Sequence, residues 1–186
     1  MINKKLAFLF IVTSLFIVGC SNGDFEIKKG KVGQLTTKTT INDLAQLFAN
    51  DSIVKNLSEG ATGSNYLQDD DEYLIFEKGG KHLLTIIPKE QLDSTSTIKS
   101  IEIFDSRYAT EDGLSLNSSF SEIRMNTRIN KVETSFSSAT LFIDDLNATV
   151  AIDKEQLGLK EYSVEKVTLD QIPDFAKMKS FIVWFN

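Results

Sequence analysis

Three pairs of segments resemble one another in the same order along the chain, and this constrains the fold more than any single motif. Thr97-Ile98-Lys99-Ser100-Ile101-Glu102-Ile103-Phe104-Asp105 and Lys177-Met178-Lys179-Ser180-Phe181-Ile182-Val183-Trp184-Phe185 share a Lys-Ser pair and the placing of their apolar residues, at an offset of 80. Ile87-Pro88-Lys89-Glu90-Gln91-Leu92 and Ile152-Asp153-Lys154-Glu155-Gln156-Leu157 are identical at five of six positions, at an offset of 65. Thr40-Ile41-Asn42-Asp43-Leu44 and Ser119-Phe120-Ser121-Glu122-Ile123 each set a hydroxyl residue three places before an acid, at an offset of 79. That spacing starts a helix, because the hydroxyl and the acid satisfy backbone N–H groups that have no partner in the first turn. Gly33 and Gly113 precede the two starts at similar distances. Self-similarity at this period means one supersecondary unit used twice. The offsets differ because insertions collect in loops, here Ser58 to Asp71 in the first copy and Gly158 to Pro173 in the second.

Each copy reads helix, hairpin, strand. In the first, Thr40 caps a short helix with Ile41, Leu44, Leu47 and Phe48 on one face. Tyr73 to Lys78 and Lys81 to Ile87 flank Gly79-Gly80, a two-residue hairpin turn, and Ile98 to Phe104 is the third element. In the second, Phe120 and Ile123 open a poorer helix of one or two turns. Thr140 to Ile143 and Ala148 to Ile152 form a hairpin around Asp144-Asp145-Leu146-Asn147, a turn by its backbone chemistry. Ser180 to Phe185 is the closing strand, and Val132 to Phe136 is a further candidate. The fold class is therefore α+β: two tandem helix-hairpin-strand repeats, residues 31–110 and 111–186, forming one antiparallel sheet with both helices on one face.

This order resembles the β-lactamase inhibitor protein fold and the related small outer-membrane assembly lipoproteins. The resemblance lies in topology and size over most of residues 31–186, with no shared signature motif, so no functional residue carries over by position. It implies a domain of helix-then-sheet units whose open sheet face grips a partner.

The candidate site follows from strand alternation. Ile101 and Ile103 match Phe181 and Val183 on the helix-covered face. The opposite face then carries Ser100, Glu102 and Phe104 in one copy and Ser180, Ile182 and Trp184 in the other. Trp184 and Phe104, with Ile182 and Glu102, are a candidate recognition platform, since aromatic residues dominate binding hot spots. The plain alternative is a second, minor core under loops. His82 is the only histidine. With Gly79-Gly80 as the turn it faces Glu77, an exposed cross-strand ion pair. A lone histidine without a free cysteine builds no usual zinc site and weakens any Ser-His-Asp scheme. Asp69-Asp70-Asp71-Glu72 lacks the alternating spacing that wraps a chain around calcium, and reads as a solvated acidic loop. No catalytic constellation, metal site or cofactor motif stands out, which points to a binding domain rather than an enzyme.

The first 19 residues place the chain in a cell. Lys4 and Lys5, an apolar run from Leu6 to Val18 and then Gly19 have the three parts of a secretory signal. The run is too short to span a bilayer, which takes about 20 apolar residues. Ile17-Val18-Gly19-Cys20 resembles the bacterial lipobox. That resemblance implies that Cys20, the only cysteine, is lipidated and begins the mature protein. Ser21 after it resembles outer-membrane lipoproteins, and Asp24 and Glu26 loosely resemble surface-export signals. Residues 20–30 read as a flexible tether. The formal net charge of −6 becomes more negative when the two lysines leave with the signal. An acidic chain without a basic cluster argues against nucleic acid as a partner. The expected partners are the membrane, through the lipid, and another envelope protein or a small ligand on the open sheet face. A subunit role in an envelope assembly and an unrecognised hydrolase are the alternatives.

Overall fold

Burial alternates along the strands, and this sets the architecture. Tyr73 and Ile75 are buried while Glu72, Leu74 and Phe76 between them are half-exposed. The same period of two recurs in Ala139, Leu141 and Ile143 and in Phe181 and Val183. A strand with one apolar side must cover that side, and here a single apolar cluster does so. The structure, a computed structural model, describes residues 22–58, 70–160 and 165–185. The expected signal, Cys20 and Ser21, Asp69 and most of the Ser58–Asp71 loop lie outside the described residues.

Most of the domain is β. A small antiparallel sheet holds β1 (Ile27–Lys28), β2 (Lys31–Val32) and β3 (Leu35–Thr36). A 3-10 turn (Ile41–Asp43) runs into α1 (Leu44–Leu47). Next come β4 (Ser52–Asn56), β5 (Glu72–Phe76), β6 (His82–Pro88) and β7 (Ile98–Ile103). Then α2 (Phe120–Asn126) leads to β8 (Ile129–Thr134), β9 (Ser138–Ile143), β10 (Ala148–Asp153) and β11 (Ser180–Trp184). The last eight strands form one antiparallel sheet in the order β4-β5-β6-β7-β11-β10-β9-β8. Among the described residues no helix is long and apolar enough to cross a membrane.

The core lies against one face of the large sheet. Ile41, Leu44 and Phe48 of the first helical segment and Phe120 and Ile123 of α2 share one cluster with Ile75, Leu84, Ile86, Ile101, Val150, Phe181 and Val183. Each fully buried side chain of this size stabilises the fold by about 1.5–3 kcal/mol. Both helix starts are capped as the sequence predicts: Asp43 accepts the Thr40 backbone N–H at 2.8 Å, and Glu122 accepts that of Ser119 at 2.6 Å. The two starts are also moored alike. Ile41 N–H donates to Ser96 O (3.0 Å) and Asn42 N–H to Ser94 O (2.9 Å). Phe120 N–H donates to Ala176 O (2.8 Å) and Ser121 N–H to Asp174 O (3.0 Å).

Four expectations need correction. Residues 22–30 are not a tether: Asn22–Phe25 is a 3-10 turn, Ile27 is buried, and β1 pairs with β2. Tyr108 lies edge-on to the Phe25 ring at 5.0 Å, and Ile27 N–H donates to Ala109 O at 2.8 Å. Gly33 permits this packing, with φ +56° and the carbonyl oxygen of Asp24 only 2.5 Å from where a Cβ would sit. Second, the sheet is larger than the helix-hairpin-strand reading allows: β4 adds a strand before the first hairpin, and β8 overlaps the further strand expected at Val132 to Phe136. Third, the β5–β6 turn is a residue longer than Gly79-Gly80: Glu77 N–H donates to Lys81 O, and His82 pairs with Phe76 rather than Glu77. Fourth, Asp71 is a buried loop cap rather than a solvated acid. It accepts from the Ser58 N–H (2.8 Å) and hydroxyl (2.9 Å) and from the Leu92 N–H (2.6 Å).

Candidate functional site

The other face of the large sheet is where the expected site residues fall. One row of directly opposed residues crosses all eight strands: Val54, Leu74, Thr85, Glu102, Ile182, Thr149, Phe142 and Lys131. Directly opposed side chains touch across the ladder, so the row is a continuous strip of contacts. Half of the strip is apolar (Val54, Leu74, Ile182 and Phe142), and Thr85, Glu102, Thr149 and Lys131 are its polar members. Lys131 Nζ sits 4.1 Å from the Phe142 ring centroid and is also bound by Glu133 at 2.6 Å.

A β-bulge creates the second feature of this face. Ile75 pairs with Leu84 but Phe76 with His82, so Leu83 is an extra residue in β6. It is buried in the core, and His82 and Thr85 land together on the open face. The imidazole is sandwiched: Phe104 stacks on it at 3.9 Å and Phe76 at 4.7 Å, with interplanar angles of 19° and 24°. Nε2 lies 3.1 Å from Leu84 O and 3.1 Å from Thr85 Oγ1. A carbonyl only accepts, so Nε2 carries the proton. Burial lowers the pKa, against the bond to Leu84, and the ring is neutral at pH 7. The expected His82–Glu77 ion pair is absent, and Glu77 binds Arg107 at 2.8 Å instead. Phe104 keeps 40% of its surface open to solvent.

Glu102 stands at the centre of the strip. Thr85 is opposite it on one side and Ile182 on the other. Among the described residues nothing hydrogen-bonds to its carboxylate or pairs with it. Burial pushes that carboxyl above the ordinary range, and the charge of Glu72 adds to the shift.

Trp184 is half-buried on the same face, opposite Ser100. Its indole N–H donates to Thr149 Oγ1 at 3.1 Å, and its backbone is held by Asn147 through two bonds of 2.8 and 2.9 Å. It is thus partly packed and partly open to solvent, and it walls a hollow of about 170 Å³ with Phe142, Asn147 and Thr149. Ile182 and Glu102 are adjacent, while Phe104 and Trp184 lie to either side of that pair along the strands. Phe76, His82, Thr149 and Phe142 belong to the face as well. Alternation in β5 and β9 signals Phe76 and Phe142, whereas His82 was hidden by the bulge.

Two other clusters are structural. Asp105 is buried and held by Arg107 Nε (2.8 Å), Arg107 Nη2 (2.5 Å) and Lys81 Nζ (3.0 Å). The Arg107 guanidinium also lies over the Phe25 ring at 4.6 Å, which clamps the N-terminal segment to the domain. Asp144 and Asp145 accept bonds from Asn130 Nδ2 (3.1 Å) and the Arg128 N–H (2.9 Å), as turn residues do. Among the described residues no group of three or more His, Cys, Asp or Glu side chains is arranged to hold a metal ion.

No family model matches the chain, and no curated protein matches it. The fold does have a solved counterpart. The crystal structure of the uncharacterized protein yfeY from Escherichia coli superposes with a TM-score of 0.55 at 14% identity, covering 86% of this chain and 99% of that one. At that identity the likeness is one of fold alone.

Proposed function

We propose that the protein is a lipid-anchored component of the bacterial cell envelope whose open sheet face binds a partner. The supporting observation is the open face itself, an eight-strand strip with half-buried aromatics and, at its centre, a carboxylate with no partner among the described residues. Val54 and Phe104 are exposed on this face and Leu74, Ile182, Phe142 and Trp184 partly so, and apolar side chains left open among polar ones suit a binding surface. The anchor rests on the lipobox-like Ile17-Val18-Gly19-Cys20, and the outer membrane is its favoured destination on the analogy of Ser21. Among the described residues the face brings a hydroxyl to an imidazole at Thr85 and His82, but that ring nitrogen donates its proton to Leu84 O and no oxyanion donors are arranged beside them, so binding is favoured over hydrolysis.

The domain is further read as two copies of one unit, each a capped helix followed by four strands. The matched capping boxes, the matched mooring bonds and the sheet order, which meets itself at β7 and β11, support this reading.

The test is site-specific photo-cross-linking in intact envelopes. A photoreactive residue at Ile182 or Phe104 should give a discrete adduct. The same residue at Met125 or Phe175, both exposed away from the strip, should not. Equal yields from all four positions, or none from the first two, would remove the open face as the site.

A further inference from the structure

Glu102 departs from the rest of the strip. Its neighbours in the row are a threonine and an isoleucine, and further apolar surface comes from Leu74, Phe104 and Trp184. The charge that acts on it is that of another acid, Glu72. A half-buried carboxylate flanked by apolar side chains, with no cation answering it among the described residues, is a charge that a cation from outside the chain can answer. The open-face hollow beside Trp184, at about 170 Å³, is below the roughly 300–1,000 Å³ of small-molecule pockets. The strip itself runs across eight strands, a span that suits a polypeptide rather than an enclosed ligand.

Resting on the reading of the open face as a binding surface, we propose that its occupant is a partner protein that places a lysine or arginine against Glu102, with apolar side chains on Ile182, Trp184 and Phe104. The charge complementarity chooses the cation, and the surrounding apolar surface excludes water from the pair. Asymmetry at the centre gives direction to the contact: an acid on β7 faces an isoleucine on β11, so a basic residue and an apolar residue of the guest are read side by side. The raised carboxyl pKa agrees with this, since the cost of keeping the charge partly out of water is offset by attraction to a docked cation.

The full chain in its native envelope provides the test, with a photoreactive residue at Ile182 reporting occupancy. Glu102→Gln should lower the adduct yield about fivefold and Glu102→Lys tenfold or more, the scale expected for a partly desolvated charge pair. Mass spectrometry of the parent adduct should place the cross-link beside a lysine or arginine of another polypeptide. Unchanged Trp184 fluorescence would show that both variants fold. An adduct in the parent that neither variant weakens would overturn the cation while leaving the binding face standing. An adduct with a lipid or a small molecule would overturn the polypeptide partner. No adduct beyond that at Met125 would overturn the binding face, and this proposal with it.

Discussion

Glu102 and Ile182 sit directly opposite one another on the two central strands, and they are also the residues that match at an offset of 80 in the sequence. The antiparallel register continues on one side of the pair, where Ile101 faces Val183 and Ser100 faces Trp184. A local two-fold relation therefore passes between Glu102 and Ile182. It puts Trp184 on one side of the pair and Phe104, its counterpart in the other segment, on the other.

Trp184 is held by one indole bond and keeps part of its surface open, whereas Phe181 on the opposite face is fully buried. Trp184→Ala should thus cost about 1–2 kcal/mol of folding free energy, and Phe181→Ala about 3–5 kcal/mol. Denaturant unfolding of the two variants gives the order, and an equal loss would make Trp184 a core residue.

Gly33→Ala should destabilise by about 2 kcal/mol or more, because φ is +56° and the new methyl meets a backbone oxygen. The damage should concentrate in β1–β2. Hydrogen exchange should rise at Ile27 and Gly33, whose N–H groups bond Ala109 and Glu26, and stay low in β10.

The two capping boxes should contribute alike. Thr40→Ala and Ser119→Ala are each expected to cost about 1 kcal/mol, with near-additive effects in the double variant. Calorimetry of the three variants would show it. A cost at only one site would weaken the reading of two equivalent units.

Asp105 predicts an acid transition. Burial alone would raise its pKa, but the bonds from Arg107 and Lys81 overcome this and hold it at about 2, from an ordinary 3.8. A carboxyl depressed in the folded state stabilises above its unfolded pKa, and the stabilisation is lost as pH falls through the folded value. Asp105→Asn should therefore lose roughly 2 kcal/mol at pH 6. The gap from the parent should close between about pH 4 and pH 2. Urea melts across that range measure it, and a gap independent of pH would exclude the linkage.

Lipidation has a direct test as well. Metabolic labelling with a fatty acid should mark the parent and leave Cys20→Ser unlabelled, with the variant unprocessed or released from the membrane. Label on the serine variant would exclude Cys20 as the anchor.

The sequence made the helix caps, the inner strands β6, β7, β10 and β11, and the side on which Phe104 and Trp184 lie legible, because each rests on spacing within a few residues. The small sheet was not legible. Two-residue strands have no period, and polar Asn22 to Gly30 folds only because Tyr108, Arg107 and Ala109 receive it from far along the chain. His82 was misplaced for a similar reason: a one-residue difference in a turn reassigns every cross-strand partner, and the bulge at Leu83 leaves no mark in composition. Asp71 looked like one of a run of acids, yet its bonds to Ser58 and Leu92 come from residues 13 before and 21 after it.

The folded N-terminal segment has a consequence for the proposed anchor. With Asn22 already in a turn packed on the domain, only Ser21 separates the fold from the proposed anchor at Cys20. Two residues reach at most about 7 Å. A domain held that close to its acyl chains does not sweep the space above the membrane as a beaded tether would. Anchored as proposed, it would diffuse in two dimensions, and its encounters would be confined to molecules that share its membrane surface or come within a domain's height of it.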